Sequence, residues 1–357
     1  MNRRRVKVTG IGPVTPAGVG RLDFWKGILE PLSRVRAFSK LDPELGPFVA
    51  AYIDRFDIGD YVDRKNIPRG SARHTLFAVA GAALALRDAG VSIEVANRRN
   101  TVVITGSSLM DFDGIGRTME GVITKGPRGA VTRSVYTTNA AVIPATICKA
   151  LGLHAKTYSV QTSCCAGMDA IGLAARMIST GEVDLAICGG TEAPLFRCPM
   201  VELRATGLTP ATVDNPSRIN RPFDLWRTTG VVSEGAGMVV LEADASGAKG
   251  YSTIAGYSCA GDIEENVCSG MTTAMRQALA DACVSPADVD AINAWGPGHG
   301  RIDAAEVSAL RAVFGDGARK IPAYSIKGAI GNPLGAAPAI QVAVSADRKS
   351  TRLNSSH

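Results

Sequence analysis

Apolar positions along the chain follow two rhythms. Short, β-prone apolar runs at Val6–Thr9, Thr101–Gly106 and Val183–Glu192 read as strands. Helical spacing marks Leu22–Leu29, Ser71–Ala89 and Asn139–Leu151, the last two stopped by Gly90 and Gly152. Ile171, Ala174, Ala175 and Ile178 share one helical face, and Gly181 ends that helix. Glycine and proline punctuate Gly10–Gly18, which predicts a loop, and the mixed stretch Pro31–Asp63 predicts surface structure. Strands alternating with helices predict an α/β chain with mostly parallel, buried sheets.

The pattern repeats once. Ala85-Leu-Arg-Asp-Ala-Gly-Val-Ser92 recurs as Ala278-Leu-Ala-Asp-Ala-Cys-Val-Ser285, each a helix end followed by a strand, at Thr101–Thr105 and Asp290–Ala294. Tyr158-Ser-Val-Gln161 is echoed by Tyr324-Ser-Ile-Lys327, each a strand running into a helix. Similarity at this separation predicts a duplicated domain, with the halves meeting near Ala243–Lys249.

The stretch with chemistry is Thr157–Gly181. A strand at Tyr158–Thr162 turns through Ser163-Cys164-Cys165-Ala166-Gly167 into the helix. A thiol in such a turn sits near unpaired backbone N–H groups and the positive end of the helix dipole, which favours the nucleophilic thiolate. A single cysteine is more often a small buried hydrophobe. The segments beyond the turn favour the nucleophile: Val183–Glu192 ends in Gly-Gly-Thr-Glu, and Arg221-Pro-Phe-Asp224 and Gly230–Glu242 come after it. Cys165 is more simply a buried helix-start residue than a second nucleophile, because neighbours on a turn point apart.

Together these segments resemble the elongating β-ketoacyl-acyl-carrier-protein synthases of the thiolase-fold superfamily, from Val8 to about Val344. The resemblance implies two thiolase-like halves packed as layered α-β-α-β-α. They span residues 1–248, carrying the nucleophile turn, and 249–346, with 347–357 a non-native tail. It implies that Cys164 accepts the acyl chain. Two histidines of such enzymes assist decarboxylation of a malonyl thioester, and the carbanion then attacks the acyl thioester.

This chain departs from that pattern at both histidines. Asn293-Ala-Trp-Gly-Pro-Gly-His299 stands where Asn-Ala-His-Gly-Thr-x-Thr is usual, so Trp295 takes the first histidine position. Pro297 and His299 replace threonines that hold the phosphopantetheine arm in relatives. Lys327-Gly-Ala-Ile-Gly331 retains the lysine, and Asn332 takes the second histidine position. Asp303 and Glu306 match as support. Indole has no acceptor and does not titrate near neutrality, whereas Asn332 can still donate to a thioester carbonyl. Of the four histidines, His74 and His154 read as structural and His357 lies in the tail. His299 is the one candidate substitute base, and a bland role for it is favoured.

Eight scattered cysteines show no Cys-x-x-Cys pair, so neither a zinc site nor a redox motif is expected, and no metal is assigned. A lone Gly-x-Gly near the start does not make a dinucleotide site. The net charge is +6, of which residues 347–357 supply +2, leaving 6 − 2 = +4. That is too mild for nucleic acid and compatible with an acidic acyl carrier protein. No signal peptide or membrane span is read, and a cytoplasmic protein is expected. Arg348–His357 is polar and non-periodic and resembles translated sequencing-adapter sequence. Relatives continue with two further strands beside the active site, so the chain is expected to be truncated.

Two functions are consistent with these features, with a decayed reading frame as a third possibility. One is acyl transfer onto Cys164 from acyl carrier protein or coenzyme A, with no other cofactor, for carbon–carbon condensation in fatty acid or polyketide synthesis. The alternative is a non-catalytic partner subunit resembling chain-length factors. Either implies a homodimer or heterodimer with another ketosynthase through the strand before the turn.

Overall fold

The computed structural model describes residues 3–212, 214–244, 250–263 and 268–354, the side chains of 348–354 excepted. Its strands are β1 Val6–Thr15, β2 Gly18–Val19, β3 Val35–Phe38, β4 Phe48–Ala51, β5 Thr101–Gly106 and β6 Lys156–Val160. They continue as β7 Leu185–Glu192, β8 Gly235–Ala243, β9 Ser252–Ile254, β10 Ile292–Asn293 and β11 Ala323–Tyr324. The first helices are α1 Arg21–Leu29, α2 Arg73–Ala89, α3 Ile93–Arg98, α4 Phe112–Lys125, α5 Ser134–Thr137 and α6 Val142–Leu151. Then come α7 Ala166–Thr180, α8 Arg197–Ala205, α9 Cys268–Ala282, α10 Gly300–Phe314, α11 Lys327–Ile330 and α12 Ala337–Asn354.

The main sheet runs β2-β1-β8-β7-β5-β6, with β9 also pairing β1. β7, β5 and β6 are parallel, and β8 is antiparallel to β7 and β1. Alternation along each strand feeds two cores. Val102 and Ile104 of β5 face the cluster holding Ile171, Ala174 and Ile178 of α7 and Ala339 and Ala343 of α12. Val103 faces the other cluster, with Val79 and Ala82 of α2 and Ile143 and Ile147 of α6. β10 and β11 form a separate parallel pair in the second half. Gln341 of α12 ties to it, donating from Nε2 to the Ala294 carbonyl at 2.6 Å.

Two predicted irregular stretches are ordered instead. β1 continues through the punctuated stretch to Thr15, with a register shift between Val8 and Gly10. Glycines are there for approach, not for turning: a Cβ on Gly10 would lie 2.1 Å from the Ala85 carbonyl oxygen and one on Gly12 2.0 Å from that of Gly81, both on α2. Pro31–Asp63 contains the antiparallel β3–β4 hairpin, whose Phe48, Val49, Ala50 and Ala51 are buried.

The echoed segments occupy equivalent places. Ile104 pairs with Tyr158 across β5–β6, and Asn293 pairs with Tyr324 across β10–β11. Of the predicted junction, residues 245–249 lie outside the described residues. α12 runs on through Asp347, the predicted start of the tail, to Asn354. Asp347 is buried and pairs with Arg21 Nη1 at 3.3 Å. His357 lies outside the described residues.

Candidate active site

The thiol sits at a strained turn. β6 ends at Val160, Ser163 takes φ 54°, and a single 3-10 turn over Ser163–Cys165 leads into α7. A positive φ at a non-glycine residue is a cost the surroundings must enforce. They do so by close packing. A Cβ on Gly106, the last residue of β5, would lie 2.2 Å from the Ala166 carbonyl carbon. One on Gly190 of β7 would lie 2.3 Å from the Gly335 carbonyl oxygen, just before α12. Gly190 of β7 therefore lets the second half close onto the turn, while Gly189 makes room for the neighbouring strand β8.

Cys164 is half-buried and packs on the apolar cluster containing Phe38, Phe48, Leu195, Met200 and Leu334. Cys165 is exposed, not the buried helix-start residue expected, because the turn directs the two side chains apart. The expectation of a low-pKa thiol at Cys164 is corrected as well. Burial pushes it up, and the Glu192 carboxylate adds to this; the Ser163 hydrogen bond and the Lys327 ammonium pull it down without prevailing. Cys165 is pushed up to about 11, by burial first and then by Asp169.

Lys327 is fully buried at the start of α11. Its Nζ donates to the Trp295 carbonyl at 2.5 Å and to Gln341 Oε1 at 3.1 Å. Burial pushes it down to about 8, against the pull of Glu306, Cys164 and Asp303. Glu306 accepts the N–H groups of Trp295 at 2.7 Å and Gly296 at 2.8 Å. Asp303 accepts those of Phe223 at 2.8 Å and Gly298 at 3.1 Å, with Arg227 Nε at 3.6 Å. Both carboxyls are pushed up, chiefly by burial. The main chain of Trp295 is thus fixed on both sides, by Glu306 at its N–H and Lys327 at its carbonyl.

Asn332 follows Gly331, which takes φ 72°. Its N–H donates to the Val231 carbonyl at 2.7 Å and its carbonyl accepts from Ser233 at 3.0 Å. Its Oδ1 is buried without a hydrogen-bond partner, so its main chain is fixed while its side-chain amide keeps spare capacity. His299 caps α10: Nδ1 accepts the Ile302 N–H at 3.4 Å, which occupies the nitrogen a base would use. His74 is buried on α2, and burial pushes it down to about 4.

The structure therefore brings Cys164, Lys327, Glu306 and Asp303 into one electrostatic neighbourhood. It adds two residues to which the motifs gave no role, Glu192 and Gln341. Glu192, buried at the end of β7, accepts from the N–H groups of Ser108 at 2.7 Å, Leu109 at 3.1 Å and Gly335 at 3.3 Å. That carboxyl stitches the loop after β5 to the second half. A glutamate closing the Gly-Gly-Thr-Glu end of a strand was the available signal. Gln341 was hidden by its place in an apolar helix. Among the described residues no group of three or more His, Cys, Asp or Glu could hold a metal ion, and no helix is long and apolar enough to cross a membrane.

Comparison with known proteins places this arrangement. Residues 3–246 match the model for the β-ketoacyl synthase N-terminal domain, and residues 251–346 match that for its C-terminal domain. The chain is 31% identical over 355 residues to 3-oxoacyl-acyl-carrier-protein synthase 2 of Coxiella burnetii, covering 97% of this chain and 86% of that protein. It is 32% identical over 364 residues to a putative polyketide beta-ketoacyl synthase 1 of Streptomyces virginiae, covering 97% and 85%. The ishigamide ketosynthase/chain length factor superposes with TM-score 0.87 at 28% identity, covering 97% of this chain and 86% of that one. A type II polyketide acyl-carrier protein in complex with its ketosynthase superposes with TM-score 0.86 at 26% identity, covering 96% and 86%.

Proposed function

The chain belongs to the β-ketoacyl synthase family, and we propose that it takes an acyl group from an acyl carrier protein or coenzyme A thioester onto Cys164. The Cys164 sulfur attacks the thioester carbonyl carbon. A new C–S bond forms, the donor's C–S bond breaks, and the donor leaves as a thiol with the cysteine proton. Lys327 acts as the buried cation that favours the thiolate. Glu306 and Asp303 hold the loop bearing Trp295. The observation that carries this reading is the placement of the Cys164 thiol on an apolar cluster within electrostatic reach of Lys327.

Asn332 is the group we assign to the carbonyl of an incoming malonyl thioester, through its side-chain N–H. Trp295 offers no base, and His299 is engaged as a cap, so transfer needs less of this site than decarboxylative condensation does. A second reading, a partner subunit that shapes the cavity of an active ketosynthase, is favoured by Trp295 in the first histidine position. The resemblance to a ketosynthase/chain length factor supports it too.

A dimer through β6 suits both. That strand is the open edge of the main sheet, with Lys156, Thr157 and Tyr158 exposed. Met119 and Ile123 of α4 and Val135 and Tyr136 of α5 are exposed too. The acyl carrier protein as partner rests on the relative solved in complex with one. All eight cysteines are free thiols, which suits a reducing compartment, and we place the chain in the cytoplasm.

Intact-protein mass spectrometry after mixing with acyl carrier thioesters tests the first reading, with Cys164→Ala as control. An adduct lost in the variant supports acyl transfer, and malonyl decarboxylation in the same tube adds condensation. A folded protein that no donor acylates overturns it in favour of the partner subunit.

A further inference from the structure

Glu192 ends β7 with no exposed surface, and both of its carboxyl oxygens are in use. Oε1 accepts the Leu109 N–H at 3.1 Å and the Ser107 hydroxyl at 3.3 Å. Oε2 accepts the N–H groups of Ser108 at 2.7 Å and Gly335 at 3.3 Å. Each oxygen therefore faces a backbone N–H, which donates and cannot accept. An ionised carboxylate suits those surroundings, because a proton on either oxygen would meet a donor. Burial pushes the group up, and these N–H bonds pull it back.

The segments it holds frame the thiol. Leu109 and Cys164 pack on the same apolar cluster, of which Leu334 is a member. The turn over Leu334–Ala336 lies against the turn over Ser163–Cys165. Leu334 takes φ 41°, a left-handed value that a leucine holds only where its surroundings enforce it. The Gly335 N–H belongs to the peptide that follows Leu334, so its bond to Glu192 fixes that peptide. On the other side, the Gly335 carbonyl oxygen would lie 2.6 Å from a Cβ on Gly167, the second residue of α7. Gly335 is thus held between Glu192 and the start of the helix that follows Cys164. The same charge opposes the thiolate, and Glu192 does push the Cys164 thiol up. What the carboxylate contributes is placement, against activation.

We propose that Glu192 is a positioning residue for Cys164: its carboxylate holds the Ser107–Leu109 loop and the Leu334–Gly335 peptide against the turn that bears the thiol. The inference rests on the acyl-transfer reading, since that placement serves the attack of the thiol on a donor.

Two variants part placement from charge. Glu192→Asp keeps the charge and loses reach. Glu192→Gln keeps the reach, loses the charge and turns one oxygen into a donor that faces an N–H. Both should slow Cys164 acylation at saturating donor by roughly tenfold, the effect of one lost hydrogen bond to a charged group, with KM little changed. Hydrogen exchange read by mass spectrometry should quicken at Ser108, Leu109 and Gly335, and also over Cys164–Ala166, which Glu192 does not bond. Only Glu192→Gln should move the pH profile of Cys164 alkylation by iodoacetamide to lower pH. A fold that had only loosened would speed alkylation at every pH in both variants. Should neither variant fold, the parent chain decides. Its amides at Ser108, Leu109 and Gly335 should exchange as slowly as those of β7, and fast exchange there overturns the proposal. Folded variants that keep the parent's exchange over Cys164–Ala166, or that acylate as fast as the parent, overturn it too. Quickened exchange over that turn, with no adduct from any donor even on the parent chain, overturns acyl transfer and upholds the placement.

Discussion

The two halves of the molecule use one local device for opposite ends. In the first, β6 runs through Tyr158-Ser-Val-Gln161 into a tight turn that sets Cys164 before α7. In the second, β11 runs through Tyr324-Ser-Ile-Lys327 and sets Lys327 at the start of α11. One strand-to-helix joint presents a thiol and the other an ammonium, and each group feels the other's charge. The first joint borders an apolar cluster. The second is enclosed, with its lysine fully buried and tied to Trp295 and Gln341. The joints differ in solvent access, and burial pushes both groups towards neutrality. The thiol goes up and the lysine down, and each partly offsets the other's shift.

The largest effect should come from parting the halves. Gly190→Ala places a methyl 2.3 Å from the Gly335 carbonyl oxygen and 2.9 Å from Gly167 Cα. Both are backbone, which cannot yield as a side chain does. A loss of about 3 kcal/mol is expected by chemical denaturation, together with loss of Cys164 acylation. Gly317→Ala, with open space around it, is the matched control and should change neither. A stable, active Gly190→Ala would mean that the halves do not meet at this contact.

Next in size is placing an imidazole at Trp295, where the resemblance expects one. The Trp295 main chain is held by Glu306 and Lys327, so the side chain can be exchanged without releasing the loop. Trp295→His should raise malonyl decarboxylation by roughly a hundredfold, the low end of what a positioned acid–base group contributes. Acylation of Cys164 should change little. If decarboxylation does not rise, the side chain at Trp295 is not what limits this site, and the partner-subunit reading gains.

Much of this comparison was legible in the sequence. Apolar runs located β5 and β7, and helical spacing with closing glycines located α2, α6 and α7. The echo around Tyr158 and Tyr324 located both joints. The hidden features depended on tertiary contact. Gly10, Gly12 and Pro13 carry the local signature of a loop, yet they lie in β1, because α2 presses on that strand and demands small residues. The β3–β4 hairpin was masked by polar flanks. The direction of the Cys164 shift could not be read either. The turn predicts stabilisation of the thiolate; burial and Glu192, contributed from other segments, decide the sign.

Lys327→Met should have a more moderate effect. Lys327 stays charged below about 8 and loses its charge as pH rises through that value. The Cys164 thiolate forms only above the ordinary thiol value of 9. The two titrations oppose each other, so the pH profile of acylation should be bell-shaped, with apparent values belonging to the pair. Because the thiol titrates above the lysine, the thiolate–ammonium form is a minority of the once-deprotonated pair and neither limb belongs to one residue. In Lys327→Met the falling limb should vanish. Alkylation of Cys164 by iodoacetamide at mildly alkaline pH should slow about tenfold, one unit of pKa. An unchanged profile would remove Lys327 from the proposed mechanism.

The smallest effect is expected one residue from the largest chemistry. Cys165 shares the turn with Cys164, but it is exposed and lies outside the apolar cluster. Although its surface is exposed, desolvation by the protein packed around the sulfur and the Asp169 carboxylate push its thiol up to about 11, so near neutrality it is protonated and a poor nucleophile. Cys165→Ser keeps the size and a hydrogen-bonding group at an exposed position, and should cost less than about 0.5 kcal/mol. Acylation rate and stoichiometry should match the parent chain, with the adduct mapping to Cys164 by peptide mass spectrometry. An adduct that moves or disappears in Cys165→Ser would exchange the roles of the two thiols. The joint before α7 would then present its nucleophile on the exposed side of the turn rather than on the apolar cluster.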